Sequence, residues 1–209
     1  MAIEKKEKLY DIWVRRNPTF ETKYEKPIFR ELSNYGNKSS QYTSIKGKIL
    51  GPAYEVYIIA FFIGLYLNKT KSLSDETKTL GQPINFWGNT SVSGIRKAYP
   101  NLKEYIFAAL VARSDIDLIQ LEKDEITPKR VVDILITKME EYTNYGLSFI
   151  QEKSIEVPDF FYRNTSFLDL FLDITKDLIP ESSNYEEEED DDDDEIDIND
   201  DENKPEPLD

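Results

Sequence analysis

Val56–Leu67 has the sequence Val-Tyr-Ile-Ile-Ala-Phe-Phe-Ile-Gly-Leu-Tyr-Leu and is the longest apolar run in the chain. As a helix, a run of this length rises about 18 Å, whereas the hydrocarbon core of a bilayer is about 30 Å thick. Polar residues, among them Glu55 and Lys69, flank the run on both sides. We therefore expect a buried core helix over about residues 52–68 rather than a membrane span. Aromatic and β-branched residues would also suit a buried strand, but the length favours a helix.

Helical periodicity predicts further helices on both sides of this run. An amphipathic helix is expected at 3–16, ending before Asn17-Pro18 because the residue before proline is pushed out of the helical region. The other helices are expected from Pro27 through Leu32 and at about 102–110, 115–123, 128–153 and 166–174. Thr127 and Pro128 are a typical helix start, and Gly146 is a candidate kink in the long helix that follows.

Two stretches lack this periodicity. Residues 37–48 are polar and are expected to form a loop, and residues 69–99 contain several glycines and prolines and are expected to be irregular. Within the second stretch, 81–88 is expected to form a short extended piece that buries Phe86 and Trp87. The predicted fold class is all-α, a compact multi-helix domain around the buried apolar helix at about 52–68.

The distribution of charge along the sequence distinguishes a C-terminal tail from this domain. The chain has 26 basic and 41 acidic residues, a net charge of −15. Residues 181–209 contain 17 acidic residues and one lysine, so residues 1–180 are close to neutral, at +1. Glu186–Glu195 is an unbroken run of carboxylates that cannot pack a core. We therefore expect a helical domain at 1–180 and a disordered acidic tail at 181–209.

Residue types exclude several classes of chemistry. The chain has no cysteine and no histidine, which excludes disulfides, Cys or His zinc sites, and Ser-His or Cys-His nucleophiles. Two groups of carboxylates are candidate sites: Asp115 and Asp117 with Glu122, Asp124 and Glu125 for magnesium, and Asp11 with Glu21-Thr22-Lys23 for a nuclease-like arrangement. Helix capping and solvated faces explain both, so no metal, no cofactor and no catalytic residue is predicted.

The first 50 residues have a mild excess of positive charge, with 11 basic and six acidic residues. Tyrosines lie among the basic residues, as in surfaces that contact a phosphate backbone. The alternative is an ordinary solvated surface. The predicted nucleic-acid-binding residues are Arg15, Arg16, Lys23, Lys26, Arg30, Lys38, Lys46 and Lys48.

The central part of the chain resembles a known family. Gly-Pro-Ala-Tyr-Glu-Val-Tyr-Ile-Ile-Ala-Phe-Phe-Ile-Gly-Leu-Tyr-Leu-Asn (51–68) is followed by a polar loop, by Gly-Gln-Pro-Ile-Asn-Phe-Trp-Gly-Asn (81–89), and by Tyr-Pro-Asn-Leu-Lys-Glu-Tyr-Ile-Phe (99–107). This order resembles DndE, the small helical DNA-binding protein of bacterial DNA phosphorothioation systems, over roughly residues 27–111. The resemblance implies an all-helical DNA-binding protein without a catalytic centre, in a DNA-modification or phage-defence operon.

The functional expectation is therefore a non-enzymatic accessory protein that contacts DNA through its basic N-terminal surface. The acidic tail is interpreted either as a solubilising extension or as a competitor for a basic surface. The alternative function is an adaptor that docks a larger ATPase or nuclease subunit, with the tail as a DNA mimic. We expect a cytoplasmic protein without membrane contact, and a homo-oligomer remains open.

Overall fold

The computed structural model describes residues 7–36, 50–88, 99 and 101–176. Within these ranges the chain is mostly helical, as the sequence predicts, and its buried side chains form one continuous cluster. The elements are α1 (Leu9–Trp13), β1 (Thr19–Glu21), a helical stretch from Thr22 to Leu32 that ends in α2 (Arg30–Leu32), α3 (Ala53–Tyr66), β2 (Thr77–Thr79), α4 (Leu102–Ala112), α5 (Leu118–Glu122), α6 (Pro128–Glu156) and α7 (Ser166–Lys176). The predicted tail at 181–209 and the predicted loop at 37–48 lie outside the described residues.

Helix α3 is the centre of the fold, and the prediction of a core helix there is confirmed. It is apolar on all sides, and most of its side chains are buried, including Tyr57, Phe61 and Ile63 at 1% exposure or less. Its main packing partner is α6, the longest helix, which also packs against α1, α4 and β1. Within the described ranges, no helix is long and apolar enough to cross a membrane.

Two glycines let α3 and α6 approach one another closely. A Cβ atom on Gly64 would lie under 3.0 Å from the backbone carbonyl of Tyr142, and one on Gly146 would clash in the same way with the carbonyl of Ala60. Gly146 is the candidate kink of the sequence analysis, and it lies within the continuous helix α6. Its physical role is to omit a side chain where two backbones meet.

A two-stranded antiparallel sheet is the element that the sequence does not predict. β1 pairs with β2, with Phe20 opposite Lys78 and Glu21 opposite Thr77. The strands have three residues each, and all three residues of β2 are exposed, so neither strand shows an apolar alternation long enough to recognise. The sheet fixes part of the stretch 69–99 that we expected to be irregular.

The first predicted helix is shorter than expected within the described residues. α1 ends at Trp13, before Asn17-Pro18. The carbonyls of Val14 and Arg16 accept hydrogen bonds from the backbone N–H groups of Asn85 and Ile84, at 2.7 and 3.0 Å. These tertiary bonds replace the next helical turn and lead the chain into β1.

Helix starts and caps are predicted better than the connecting segments. Thr127 caps α6, and its hydroxyl accepts from the backbone N–H of Arg130 at 3.2 Å. The short helix expected from Pro27 begins earlier, because 3-10 and π turns at 22–29 precede α2. In the piece expected to be extended at 81–88, Trp87 is buried but Phe86 is 51% exposed, so that part of the prediction is wrong. The chain there forms a 3-10 turn, Ile84–Phe86, that directs the two rings apart.

Candidate functional site

Four of the predicted DNA-contacting side chains are held by carboxylates of the same chain. Arg15 pairs with Glu7 at 2.6 Å, Arg16 with Asp133 at 2.5 Å and Arg30 with Glu25 at 2.5 Å, and Lys23 pairs with Glu21. Lys26 is exposed and forms no ion pair within the described ranges. Lys38, Lys46 and Lys48 lie outside the described residues.

Arg16 and Arg30 pair with carboxylates in different parts of the fold. Arg16 reaches the outer side of α6, whereas Arg30 shares the carboxylate of Glu25 with Lys78, which lies 3.0 Å from it. Arg30 and then Lys78 hold the pKa of Glu25 below its ordinary value. Lys78 was not predicted, because it lies far along the chain and only the β1–β2 pairing brings it beside this group.

Glu21 and Asn144 form a buried polar cluster between β1, α6 and residues 71–74. Glu21 is 2% exposed, and one carboxylate oxygen accepts from the backbone N–H of Ser74 at 2.7 Å and from Nδ2 of Asn144 at 3.2 Å. Nδ2 of Asn144 also donates to the carbonyls of Lys71 and Ser72. Burial would raise the pKa of Glu21, but the hydrogen bonds from Lys23, Ser74 and Asn144 lower it overall. The cluster fixes the chain between α3 and β2, which is a structural role.

A second polar group connects β1 to both central helices. Glu140 on α6 accepts from the backbone N–H and the hydroxyl of Thr19, at 2.7 and 2.9 Å. The Tyr57 hydroxyl on α3 donates to the Thr19 carbonyl at 3.2 Å. Burial raises the pKa of Glu140 and, more strongly, that of Tyr57, which is fully buried. Both side chains anchor β1 to the central helices through Thr19.

Two of the carboxylates considered for a metal, Asp117 and Glu21, have structural roles. Asp117 caps α5 by accepting from the backbone N–H groups of Ile119 and Gln120, at 2.9 and 3.2 Å. Glu21 lies in the buried cluster and faces Lys23 and Asn144. In the described part of the chain, no group of three or more carboxylates is arranged to hold a metal ion.

Charge is distributed unevenly between the described and the remaining parts of the chain. The described ranges contain 18 basic and 22 acidic residues, a net of −4. Residues 37–49 and 89–98 together contain five basic residues and no acidic residue. The basic members are Lys38, Lys46, Lys48, Arg96 and Lys97. The positive excess of residues 1–180 therefore comes from outside the described ranges.

The described ends of these two segments meet at the start of α3. The Leu50 N–H donates to the Leu32 carbonyl at 3.1 Å, which brings together the residues on either side of 37–49. Leu50 and Tyr99 line one pocket with the first turns of α3, and a Cβ on Gly88 would lie 3.5 Å from Tyr99. Residues 37–49 and 89–98, which we call the acid-free segments, thus join the described residues at the end of the fold where α3 begins.

A mixed-charge pocket of about 370 Å³ lies on the outer face of α6, beside the end of α4. Its charged lining alternates in sign and includes the Arg16-bound Asp133. The charged lining residues are Arg113, Asp115, Arg130, Asp133, Lys138 and Glu141. Because the two signs are balanced, the pocket does not select an anion such as DNA.

An apolar groove runs between α3 and α4. At the start of both helices it contains a pocket of about 250 Å³, and at their ends one of about 340 Å³. Because their N-terminal halves line one pocket and their C-terminal halves the other, α3 and α4 run in the same direction. Both helices pack on α6 but much less on one another, which leaves the groove open. The lining residues of this α3–α4 groove are Leu50, Tyr54, Glu55, Ile58, Ile59, Phe62, Leu65 and Tyr66 with Tyr99, Leu102, Ala109, Ala112 and Arg113.

Comparison with known proteins adds no relative. No family model matches the chain, and no curated protein and no solved structure matches it.

Proposed function

We propose that this chain is a non-enzymatic accessory protein that contacts DNA at the end of the fold where α3 begins. The uneven distribution of charge supports this proposal. The described residues have a net charge of −4, whereas the two segments that join them at the start of α3 contain five basic and no acidic residue. Lys and Arg among Ser and Thr donors suit a phosphate backbone.

Under this proposal, the predicted residues do not contribute equally to DNA binding. Lys38, Lys46 and Lys48 belong to one of the acid-free segments, and they become the first residues to test. Arg15 and Arg16 already have carboxylate partners, which reduces the positive potential that they offer to DNA. By the resemblance to DndE, the biological context would be a bacterial DNA-modification or phage-defence system.

The acidic tail is proposed to compete with DNA for these cations. The chain without residues 181–209 should bind a short duplex more tightly than the full chain, and its affinity should fall more steeply with salt, because more phosphate contacts form. Fluorescence anisotropy with a labelled duplex at low and moderate salt measures both quantities. If the truncated chain is folded by circular dichroism and shows no affinity at low salt, direct DNA contact is wrong.

A protein adaptor is the second candidate function. It is favoured by the ion pairing of Arg15, Arg16, Lys23 and Arg30, which neutralises most of the described cations that were predicted to contact DNA. The adaptor would dock a larger ATPase or nuclease subunit, with the tail in the partner's DNA channel. Purification of the tagged chain from its host, with and without nuclease treatment, separates the two functions. A stoichiometric partner retained after nuclease treatment, together with no DNA affinity of the purified chain, would favour the adaptor.

A further inference from the structure

The mixed-charge pocket on α6 is formed by two stretches of the chain. One is the outer face of α6, whose lining side chains follow one another at helical spacing and include Arg130, Ile134, Lys138 and Glu141. The other is the segment 113–115, directly after α4. The cavity of about 370 Å³ lies at the lower end of the range for small-ligand sites. Its size therefore fits a small metabolite rather than a macromolecule.

The cations of this pocket are not neutralised by its carboxylates. Arg113, Arg130 and Lys138 form no ion pair with any described residue. The Arg113 guanidinium donates instead to the amide oxygen of Asn68 at 3.4 Å. The Lys138 ammonium lies over the ring of Tyr142, 5.4 Å from its centre. All three positive charges therefore lack a carboxylate partner in the described part of the chain.

The three carboxylates of the pocket differ in their partners. Asp133 is paired at 2.5 Å with Arg16, which is not one of the lining residues. Asp115 and Glu141 form no ion pair with any described residue. Because Arg16 neutralises Asp133, the lining offers three positive charges and two negative charges, a net of +1. Opposite charges that share a pocket without pairing are complementary to a ligand that carries both signs.

We propose that this pocket binds a small zwitterion with a net negative charge, of the class of the acidic α-amino acids. The two carboxylates of such a ligand pair with Arg113, Arg130 and Lys138. Its ammonium group pairs with Asp115 or Glu141. Two carboxylates and one ammonium match the excess of one positive charge in the lining. A simple anion would leave both carboxylates of the pocket without a partner, which selects against it.

Titration calorimetry of the full chain with L-glutamate tests the proposal. Glutarate is the matched probe, since it has the same two carboxylates and no ammonium group. We expect L-glutamate to bind about tenfold more tightly than glutarate, because only L-glutamate supplies a partner for the carboxylates of the pocket. The absence of binding at millimolar L-glutamate would overturn the proposal. Equal or tighter binding of glutarate would also overturn it, because the pocket would then attract any small anion.

Variants that remove charge locate the ligand. Arg130→Gln/Lys138→Gln should weaken the binding of L-glutamate by about tenfold, because the partners of its carboxylates are lost. Asp115→Asn/Glu141→Gln should abolish the preference for L-glutamate over glutarate. Lys123→Gln is the matched control, since Lys123 is exposed on the residue after α5, lies outside the lining and should leave both affinities unchanged.

The changed side chains form no ion pair with a described residue, so each variant should remain folded, and circular dichroism checks this. An unchanged affinity for L-glutamate in both double variants would show that it binds elsewhere and would overturn the assignment. The pocket lies beside the end of α4, whereas the DNA contact is proposed where α3 begins. Failure of this titration would therefore leave the DNA test unaffected.

Discussion

Gly64 on α3 and Gly146 on α6 lie at the crossing of these two helices. Each glycine packs against the backbone of the residue that precedes the other glycine by one helical turn. Gly64 faces the carbonyl of Tyr142, and Gly146 faces the carbonyl of Ala60. The contact is reciprocal, so neither helix can carry a side chain at the crossing. This relationship sets the separation of the two helices that contain most of the core.

Gly64→Ala or Gly146→Ala should therefore strongly destabilise the fold. A methyl group at either position would meet main chain, which cannot move aside as a flexible side chain can. We expect the free energy of unfolding to fall by about 3 kcal/mol, at the upper end for overpacking. Urea unfolding followed by circular dichroism measures this change. Ala108→Ser, on the exposed side of α4, is the control, and an unchanged midpoint for both glycine variants would show that the helices can separate at low cost.

Glu21→Gln should destabilise the chain at neutral pH and much less in acid. The pKa of Glu21 is lowered in the fold, so its carboxylate contributes stability above its unfolded pKa and loses it as the pH falls through the folded value. At pH 7 we expect a loss of about 2 kcal/mol, because a buried charged hydrogen-bond acceptor is removed. Unfolding curves of the wild type and of the variant, measured about one pH unit apart between pH 3 and pH 7, provide the comparison. Glu122→Gln, on an exposed part of α5, is the control and should leave the unfolding midpoint at pH 7 unchanged. A constant difference between Glu21→Gln and the wild type across this range would contradict the interpretation.

Glu140→Gln should have the opposite pH dependence. Burial raises the pKa of Glu140, so the charged form is disfavoured in the fold, and stability declines as the pH rises from the unfolded to the folded pKa. Glutamine keeps an oxygen acceptor for Thr19 without the charge. The variant should therefore gain stability relative to the wild type as the pH rises through this window. The interpretation is wrong if thermal unfolding shows that the variant loses stability relative to the wild type between acid and neutral pH.

Replacing Lys38, Lys46 and Lys48 together with Glu should abolish most DNA affinity of the chain without its tail. Each lost phosphate contact should also reduce the slope of affinity against salt by about one. The comparison variant is Arg15→Gln/Arg16→Gln, whose effect should be smaller because both side chains are already paired with Glu7 and Asp133. Equal losses for the two variants would mean that the DNA surface is the one first predicted from charge alone.

The sequence predicted the helices where a local signal was strong. The core helix at 52–68 followed from an apolar run with no polar face, and the start of α6 followed from Thr127 and Pro128. These signals lie within a few residues of one another and do not depend on what the helix later contacts. The two short strands gave no such signal, because β1 and β2 are stabilised by each other across more than 50 residues of chain.

The candidate sites show the same division. Lys and Arg can be counted along the chain, but their pairing with Glu7, Glu21, Glu25 and Asp133 depends on the fold. The α3–α4 groove was also not predicted, since it depends on α3 and α4 running in the same direction and packing mainly on α6.

By itself, the sequence determined the helical class of the described part, the position of its central helix, and the separation of a strongly acidic end from a nearly neutral remainder. Periodicity and composition are local properties, and these features depend on nothing else. Only the tertiary structure decided which charges are neutralised, how closely α3 and α6 approach at Gly64 and Gly146, and where apolar surface stays open. Those features arise from contacts between residues far apart in the chain, and no short stretch of sequence records them.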